Sequence, residues 1–226
     1  MTQKYKRIIA IADIHGCFEQ LHEMVQKCIK FDPSEDMLVF LGDYFDRGKS
    51  SFEVYRYLRA LKEAHKDSII LLKGNHEEMF FKYMENKEDL QYTMDFLNNG
   101  GRETMRSFKN ANEGADLEKA YDFLKENCKL YFKRDGFIFA HANFPHHEMI
   151  TDFDYILWSR EFDTRERKHK VVVGHTLDMR HPHWYGDLLC IDKGCFYSGE
   201  LCAYDVLNSQ KYFVKKVISK DRRTKK

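Results

Sequence analysis

An α/β fold with a parallel sheet is the class this chain predicts. Short apolar runs of strand length alternate with stretches whose apolar residues recur at helical spacing, and each of the first three runs ends in a cluster of Asp, Asn, His and Gly. That alternation is the signature of right-handed β-α-β crossovers. Arg7 to Ala12 is the first run, and it ends on Asp13-Ile14-His15-Gly16. Phe18, Leu21, Val25, Cys28 and Ile29 then mark an amphipathic helix over Cys17 to Lys30, stopped near Pro33. Met37 to Leu41 is the second strand, and Gly42 marks where the backbone leaves the sheet. Phe52, Tyr55, Leu58 and Leu61 place a second helix over Ser51 to His65. Ser68 to Leu72 is the third strand, ending in Lys73-Gly74-Asn75-His76-Glu77.

From residue 78 to about 128 the text is charged, aromatic and helical, interrupted at Asn98-Asn99-Gly100-Gly101 and at 110–114. It reads as a helical insertion, either a cover over one edge of the site or plain packing on the sheet. Leu130 to Lys133 and Phe137 to Ala140 form a hairpin about Asp135-Gly136. Asp154 to Arg160 is a short helix or turn, and Lys170 to Val173 and Leu188 to Asp192 are strands. Strands near Leu201 to Val206 and Tyr212 to Val217 are expected to finish a second sheet. The charged tail 220–226 is expected to be disordered, leaving one domain over 1–219.

Composition narrows the function classes. Lysine plus arginine (37) nearly cancels aspartate plus glutamate (36), so no global charge draws the chain to nucleic acid or an anionic membrane. No apolar run reaches the roughly 18 residues that span a bilayer, and a soluble, cytoplasmic monomer is the expectation. The six cysteines include no C-x-x-C pair and read as reduced thiols, with a metal-binding or bridged Cys190, Cys195 and Cys202 group as the alternative. Cys17 reads as a buried, inert thiol.

The chemistry converges on Gly42-Asp43-Tyr44-Phe45-Asp46-Arg47-Gly48, which delivers two carboxylates and a guanidinium in one turn after a strand. The carboxyl ends of strands are where ligands bind in open α/β sheets. Asp13, His15, Asp43, Asn75, His141 and His175 all follow such runs. This oxygen and nitrogen set without thiolates suits two divalent transition metal ions such as Mn²⁺, Fe or Zn²⁺. A shared carboxylate holds such a pair roughly 3.5–4 Å apart, and Asp43 is the natural bridge. Singly, each residue has an ordinary reading as a turn or core residue; the joint pattern overturns it.

The series Asp13 to Gly16, Gly42 to Gly48, Gly74 to Glu77, His141-Ala142 and Gly174-His175-Thr176 resembles the calcineurin-like metallophosphoesterases, specifically the phosphoprotein phosphatase family. The stretch 98–104 further resembles small bacterial and bacteriophage serine/threonine phosphatases. The resemblance implies one ion on Asp13, His15 and Asp43 and the other on Asp43, Asn75, His141 and His175. It also implies a four-layer α/β/β/α sandwich and activity on phosphomonoesters, often phosphoserine and phosphothreonine, with Mn²⁺ common in bacterial forms. Asn143 departs from the family, where glycine usually follows His-Ala.

A water or hydroxide bridging two such ions has a much lowered pKa and can attack phosphorus directly. Cationic donors are then wanted on the phosphoryl oxygens: Arg47 first, Arg160 second, with Lys73 as a point charge and Asn75 at the substrate side. His76, oriented and kept cationic by Asp46, is the candidate proton donor to the leaving oxygen. Glu77 is expected to orient its loop, Asp192 to stand behind the ligands, and His146, His147, His181 and His183 to lie in loops. A phosphoprotein or phosphopeptide is the expected substrate, with diadenosine tetraphosphate hydrolysis as the alternative and an inactive phosphopeptide-binding module behind it. A nuclease is disfavoured, because Gly174-His175-Thr176-Leu177 lacks the second histidine of Gly-His-x-His.

Overall fold

The computed structural model describes residues 5–111, 116–146, 150, 152–162, 164–180 and 182–216. Strand β1 (Arg7–Ile11) is buried on both faces, as a parallel strand covered on either side must be. Helix α1 (Phe18–Glu23) runs on without a break as a π-helical turn, Met24–Ile29, and stops at Lys30 with a left-handed φ of 52°. β2 (Asp36–Phe40), α2 (Ser51–His65) and β3 (Ile69–Leu72) follow as the periodicity requires.

The next stretch is helical, but it begins at Asn75 rather than at 78, because the amide of Gly74 finds its acceptor on Glu77 at 2.9 Å. It comprises α3 (Asn75–Glu85), α4 (Leu90–Phe96), a π-helical turn Leu97–Gly101, α5 (Arg102–Asn110) and α6 (Leu117–Asn127). It closes on a two-residue strand, β4 (Cys128–Lys129), parallel to β3 and too short to show in the sequence. β5 (Tyr131–Arg134) and β6 (Phe137–Ala140) make the expected hairpin; Asp135 and Gly136 take φ of 48° and 82°, the positive values that match hairpin twist. Then come α7 (Phe153–Trp158), β7 (Lys170–Val173), β8 (His183–Tyr185), β9 (Leu188–Cys190), α8 (Cys195–Ser198), β10 (Glu200–Asp205) and β11 (Gln210–Lys215). His183 thus stands in a strand rather than a loop. His147, His181 and the tail 220–226 lie outside the described residues.

One sheet has the order β11-β10-β1-β2-β3-β4 and the other β5-β6-β7-β9-β8. The last two strands therefore complete the first sheet, not the second as expected. β10 lies antiparallel on the free edge of β1, pairing Ala10 with Tyr204, and β11 pairs with β10. The alternation of buried and exposed residues in β11 is that of a solvated edge strand.

Three apolar clusters make the layers. Ile8, Ala10, Val39, Leu41 and Leu72 meet Phe139, Val172 and Leu189 between the sheets. Ile9, Ile11, Phe40 and Leu71 pack outward on α1, α2, α3 and α6. Ile138, Val171 and Val173 pack outward around Ile156 of α7. The result is the four-layer α/β/β/α sandwich. At about 1.5–3 kcal/mol for each large apolar side chain fully buried, the middle cluster sets the two sheets face to face and brings the carboxyl ends of β1, β2, β3, β6 and β7 to one edge. All six cysteines are free thiols.

Candidate functional site

The loops leaving β1 and β2 are zipped together by their backbones. The amides of Ile14 and His15 donate to the Asp43 carbonyl at 3.1 and 2.8 Å, and the amide of Gly16 donates to that of Tyr44 at 2.9 Å. His15, Asp43, Asp46, Arg47 and His175 take left-handed φ between 45° and 68°. Such a conformation costs a non-glycine residue about 1–3 kcal/mol, so surrounding contacts must impose it. Glu77 imposes much of it at Asp43: its buried carboxylate accepts the amides of Asp43 (2.7 Å), Tyr44 (2.9 Å) and Gly74 (2.9 Å). Burial and the charge of Asp43 push that carboxyl up to about 7, with the three amides opposing.

Asp43 faces two ways. Its Oδ2 lies 3.3 Å from His15 Nε2 and its Oδ1 lies 3.4 Å from His141 Nε2. Around Oδ1, His141 Nε2 is 2.9 Å from Asn75 Oδ1 and 3.2 Å from His175 Nδ1. Two groups able to hold an ion share Asp43: His15, Asp43 and His76, and Asp43, His141 and His175. Asp13 stands just past β1, against the loop that leaves β7. Both its oxygens accept the amide of His175 at 3.1 Å, and a Cβ at Gly174 would lie 2.1 Å from its Oδ1, so only glycine permits that approach.

The donor atoms fit a pair of cations. His15 and His141 give their Nδ1 protons to the carbonyls of Phe45 and Leu41, each at 2.8 Å, which leaves an Nε2 lone pair pointing inward. For His141 that lone pair faces the Asn75 carbonyl oxygen, an acceptor against an acceptor that a cation between them would relieve. His175 Nε2 is buried with no hydrogen-bond partner among the described residues. Burial lowers the pKa of His141, and burial together with His141 holds His175 down to about 3, so both rings favour the neutral form that a metal ion needs. Burial would raise Asp43, but His141, His76 and His15 hold it well below the usual carboxylate range. Burial, Asp192 and Asp43 push Asp13 well above that range, and burial raises Asp192. Three carboxylates are therefore crowded where positive charge is needed. Asp192 also accepts the amide of Gly194 at 2.7 Å, which fixes its carboxylate.

Beside this centre stands a pair suited to proton transfer. His76 Nδ1 lies 2.7 Å from Asp46 Oδ2. Burial lowers the imidazole's pKa, yet Asp43 and Asp46 outweigh it and raise the group above its ordinary 6.5. His76 Nε2 is buried without a hydrogen-bond partner among the described residues and lies 3.9 Å from Asp43 Oδ2. Asp46 is held in turn by Thr104, whose hydroxyl donates to its Oδ1 at 2.6 Å and accepts its amide at 2.8 Å. Arg47 donates from Nη1 to His15 Nε2 at 2.8 Å, with its guanidinium 4.9 Å from the centroid of the Phe196 ring. The Arg47 amide donates to the Gly100 carbonyl at 3.3 Å. A Cβ at Gly100 would come within 2.6 Å of that amide nitrogen.

The helical insertion is thus neither cover nor plain packing at this point: α5 and the turn before it hold Asp46 and Arg47. Sequence reasoning missed Thr104 and Phe196; the stretch containing Thr104 drew notice only as a resemblance. Lys73 sits on Glu78 at 2.7 Å. Arg160 is exposed, and its charge helps lower the pKa of His175. Asn143, the departure from the family pattern, is buried and ties its loop by donating to the Glu161 carbonyl at 3.0 Å and accepting the Phe144 amide at 2.8 Å.

The chain belongs to the calcineurin-like phosphoesterases, whose family model matches residues 6–210. It is 26% identical over 209 residues to serine/threonine-protein phosphatase 1 of Salmonella typhimurium, covering 88% of this chain and 92% of that one. It is 25% identical over 228 residues to the asymmetrical bis(5'-nucleosyl)-tetraphosphatase PrpE of Anoxybacillus flavithermus, covering 85% and 87%. In fold it is similar to a serine/threonine phosphatase from Saccharomyces cerevisiae, itself described as similar to human phosphatase PP5, with a TM-score of 0.66, 17% identity and coverage of 97% and 82%. A metal-dependent phosphoesterase is the class that fold and site define. No helix among the described residues is long and apolar enough to cross a membrane.

Proposed function

We propose that this chain is a two-metal phosphomonoesterase acting on phosphoserine and phosphothreonine in proteins, with Mn²⁺ as its working ion. Asp13, His15 and Asp43 would hold one ion, and Asp43, Asn75, His141 and His175 the other. When bound, such a pair supplies Lewis-acid polarisation of the phosphoryl group and a water-derived nucleophile at neutral pH.

The observation that carries the reading is the Asp46–His76 pair at 2.7 Å, with the far nitrogen of His76 unpartnered. A serine or threonine alkoxide is a poor leaving group, so a positioned acid is worth about 10²–10⁴-fold in rate. Cleaving a phosphoanhydride releases a phosphate oxygen that needs far less help. Asp46 accepts the hydrogen bond from Nδ1–H and keeps the ring charged, which leaves Nε2–H free to meet the departing oxygen. Arg47 brings a planar pair of donors to the same mouth, suited to the non-bridging phosphoryl oxygens. Arg160, on the far side by His175, would bear on the same group.

Diadenosine tetraphosphate hydrolysis is the competing reading, supported by the tetraphosphatase relative. The test is kcat/KM with Mn²⁺ on phosphoserine, phosphothreonine and phosphotyrosine peptides beside diadenosine tetraphosphate, against a chelated control. Metal-dependent turnover that is fastest on phosphoserine or phosphothreonine supports the proposal. Turnover of the dinucleotide alone overturns it, and no turnover of any ester, an aryl phosphate included, leaves a binding module.

A further inference from the structure

A cleft of about 740 Å³ opens beside the metal centre, between the start of α2 and helix α5. Arg47 lines it and also reaches His15 at 2.8 Å, so the cleft is continuous with the phosphate end of the site. Lys49 and Glu53 come from the α2 side, and Glu103, Arg106, Ser107 and Asn110 from the α5 side.

Lys49 is exposed and takes part in no ion pair among the described residues. Among the described residues Arg106 is bound only by Glu103, one turn away on the same helix, and its side chain remains 61% exposed. Arg47, Lys49 and Arg106 thus outnumber the two lining carboxylates, Glu53 and Glu103, and Lys49 carries the unpaired charge. Glu53 turns its Oε2 away from solvent, where it has no hydrogen-bond partner among the described residues. None of the lining residues is aromatic. A nucleobase gains its affinity largely by stacking on rings and finds none here, whereas an extended peptide main chain carries donors for the Asn110 amide oxygen along with acceptors for the cations.

We infer that this cleft binds the peptide flanking the phosphorylated residue and selects acidic side chains through Lys49 and Arg106. The inference rests on the phosphoprotein reading above and names its substrate class more narrowly. The two charges make it an electrostatic selector, weakened by salt.

The test uses phosphoserine peptides that carry two glutamates or two lysines, placed before or after the phosphorylated residue, with the intact metal-loaded enzyme and its Lys49→Glu and Arg106→Glu variants. Wild-type kcat/KM should favour the acidic peptide on one flank by about 3- to 10-fold, the scale of one or two exposed ion pairs. Each variant should erase or invert that preference through KM rather than kcat, with circular dichroism melts showing that both variants fold. An acidic preference unchanged in both folded variants overturns the cleft's role while leaving the phosphatase reading intact. Phosphoserine peptides left uncleaved by an enzyme that hydrolyses diadenosine tetraphosphate overturn the phosphatase reading, and the occupant proposed here with it.

Discussion

Replacing Glu77 tests how the site is built, because one buried carboxylate serves three backbone amides from two loops. Glu77→Ala leaves all three donors without an acceptor in a space water does not reach. Each unsatisfied buried amide costs about 1–3 kcal/mol, so a loss of at least about 3 kcal/mol is expected. Glu77→Gln keeps one oxygen. Oε2 serves Asp43 and Gly74 while Oε1 serves Tyr44, so the glutamine carbonyl can keep the pair, and its NH₂ is then set against the Tyr44 amide. One amide lost predicts about 1–3 kcal/mol. Urea unfolding of the metal-free protein reads both, as a shift in midpoint at constant slope. The left-handed backbone at Asp43 also relaxes, so metal affinity should fall in the same order. A loss below about 1 kcal/mol for Glu77→Ala, or equal losses for the two variants, would refute the reasoning.

If His76 is the proton donor, His76→Asn should cut turnover of a phosphoserine peptide about 10²-fold or more and that of an activated aryl phosphate far less; equal losses in steady-state assays contradict the role. Asp43 and Asp46 raise the pKa of His76 against its burial. The acid form is therefore present below that raised value and lost as pH climbs through it, so Asp46→Asn should move the alkaline limb of the kcat profile to lower pH, and an unmoved limb removes His76 from the step. Thr104→Val, which deletes the hydroxyl on Asp46, should lower kcat about 10-fold with little change in KM; an unchanged kcat reduces Thr104 to packing. Arg160→Ala should weaken competitive inhibition by free phosphate, measured against an aryl phosphate, while metal content stays at two ions per chain. Unchanged inhibition would set Arg160 outside the phosphate site.

The candidate ligands were legible because each stands within four residues of a strand end, where a short motif shows both the strand and the turn that leaves it. Asp43 illustrates this: an apolar run, a glycine, then a carboxylate. Thr104 was not legible as a partner of Asp46, since 58 residues separate them and no local periodicity records a hydrogen bond between a loop and a distant helix. Sheet membership was hidden for the same reason. The sequence signals that β10 is a strand, but the open edge of β1 to which it pairs is a property of the assembled sheet. β4 and β8, of two and three residues, carry too little pattern to see. The position of Asp13 against the His175 amide depends on Gly174, a close approach that becomes visible only when β1 and β7 face each other.

The account turns on Asp43 joining two ions. Electron paramagnetic resonance of the Mn²⁺-loaded protein, with metal content measured in parallel, tests this most directly. Two ions per chain with an exchange-coupled spectrum are predicted, and Asp43→Asn should abolish the coupling. A single ion, or two uncoupled ions in the wild-type protein, would contradict it.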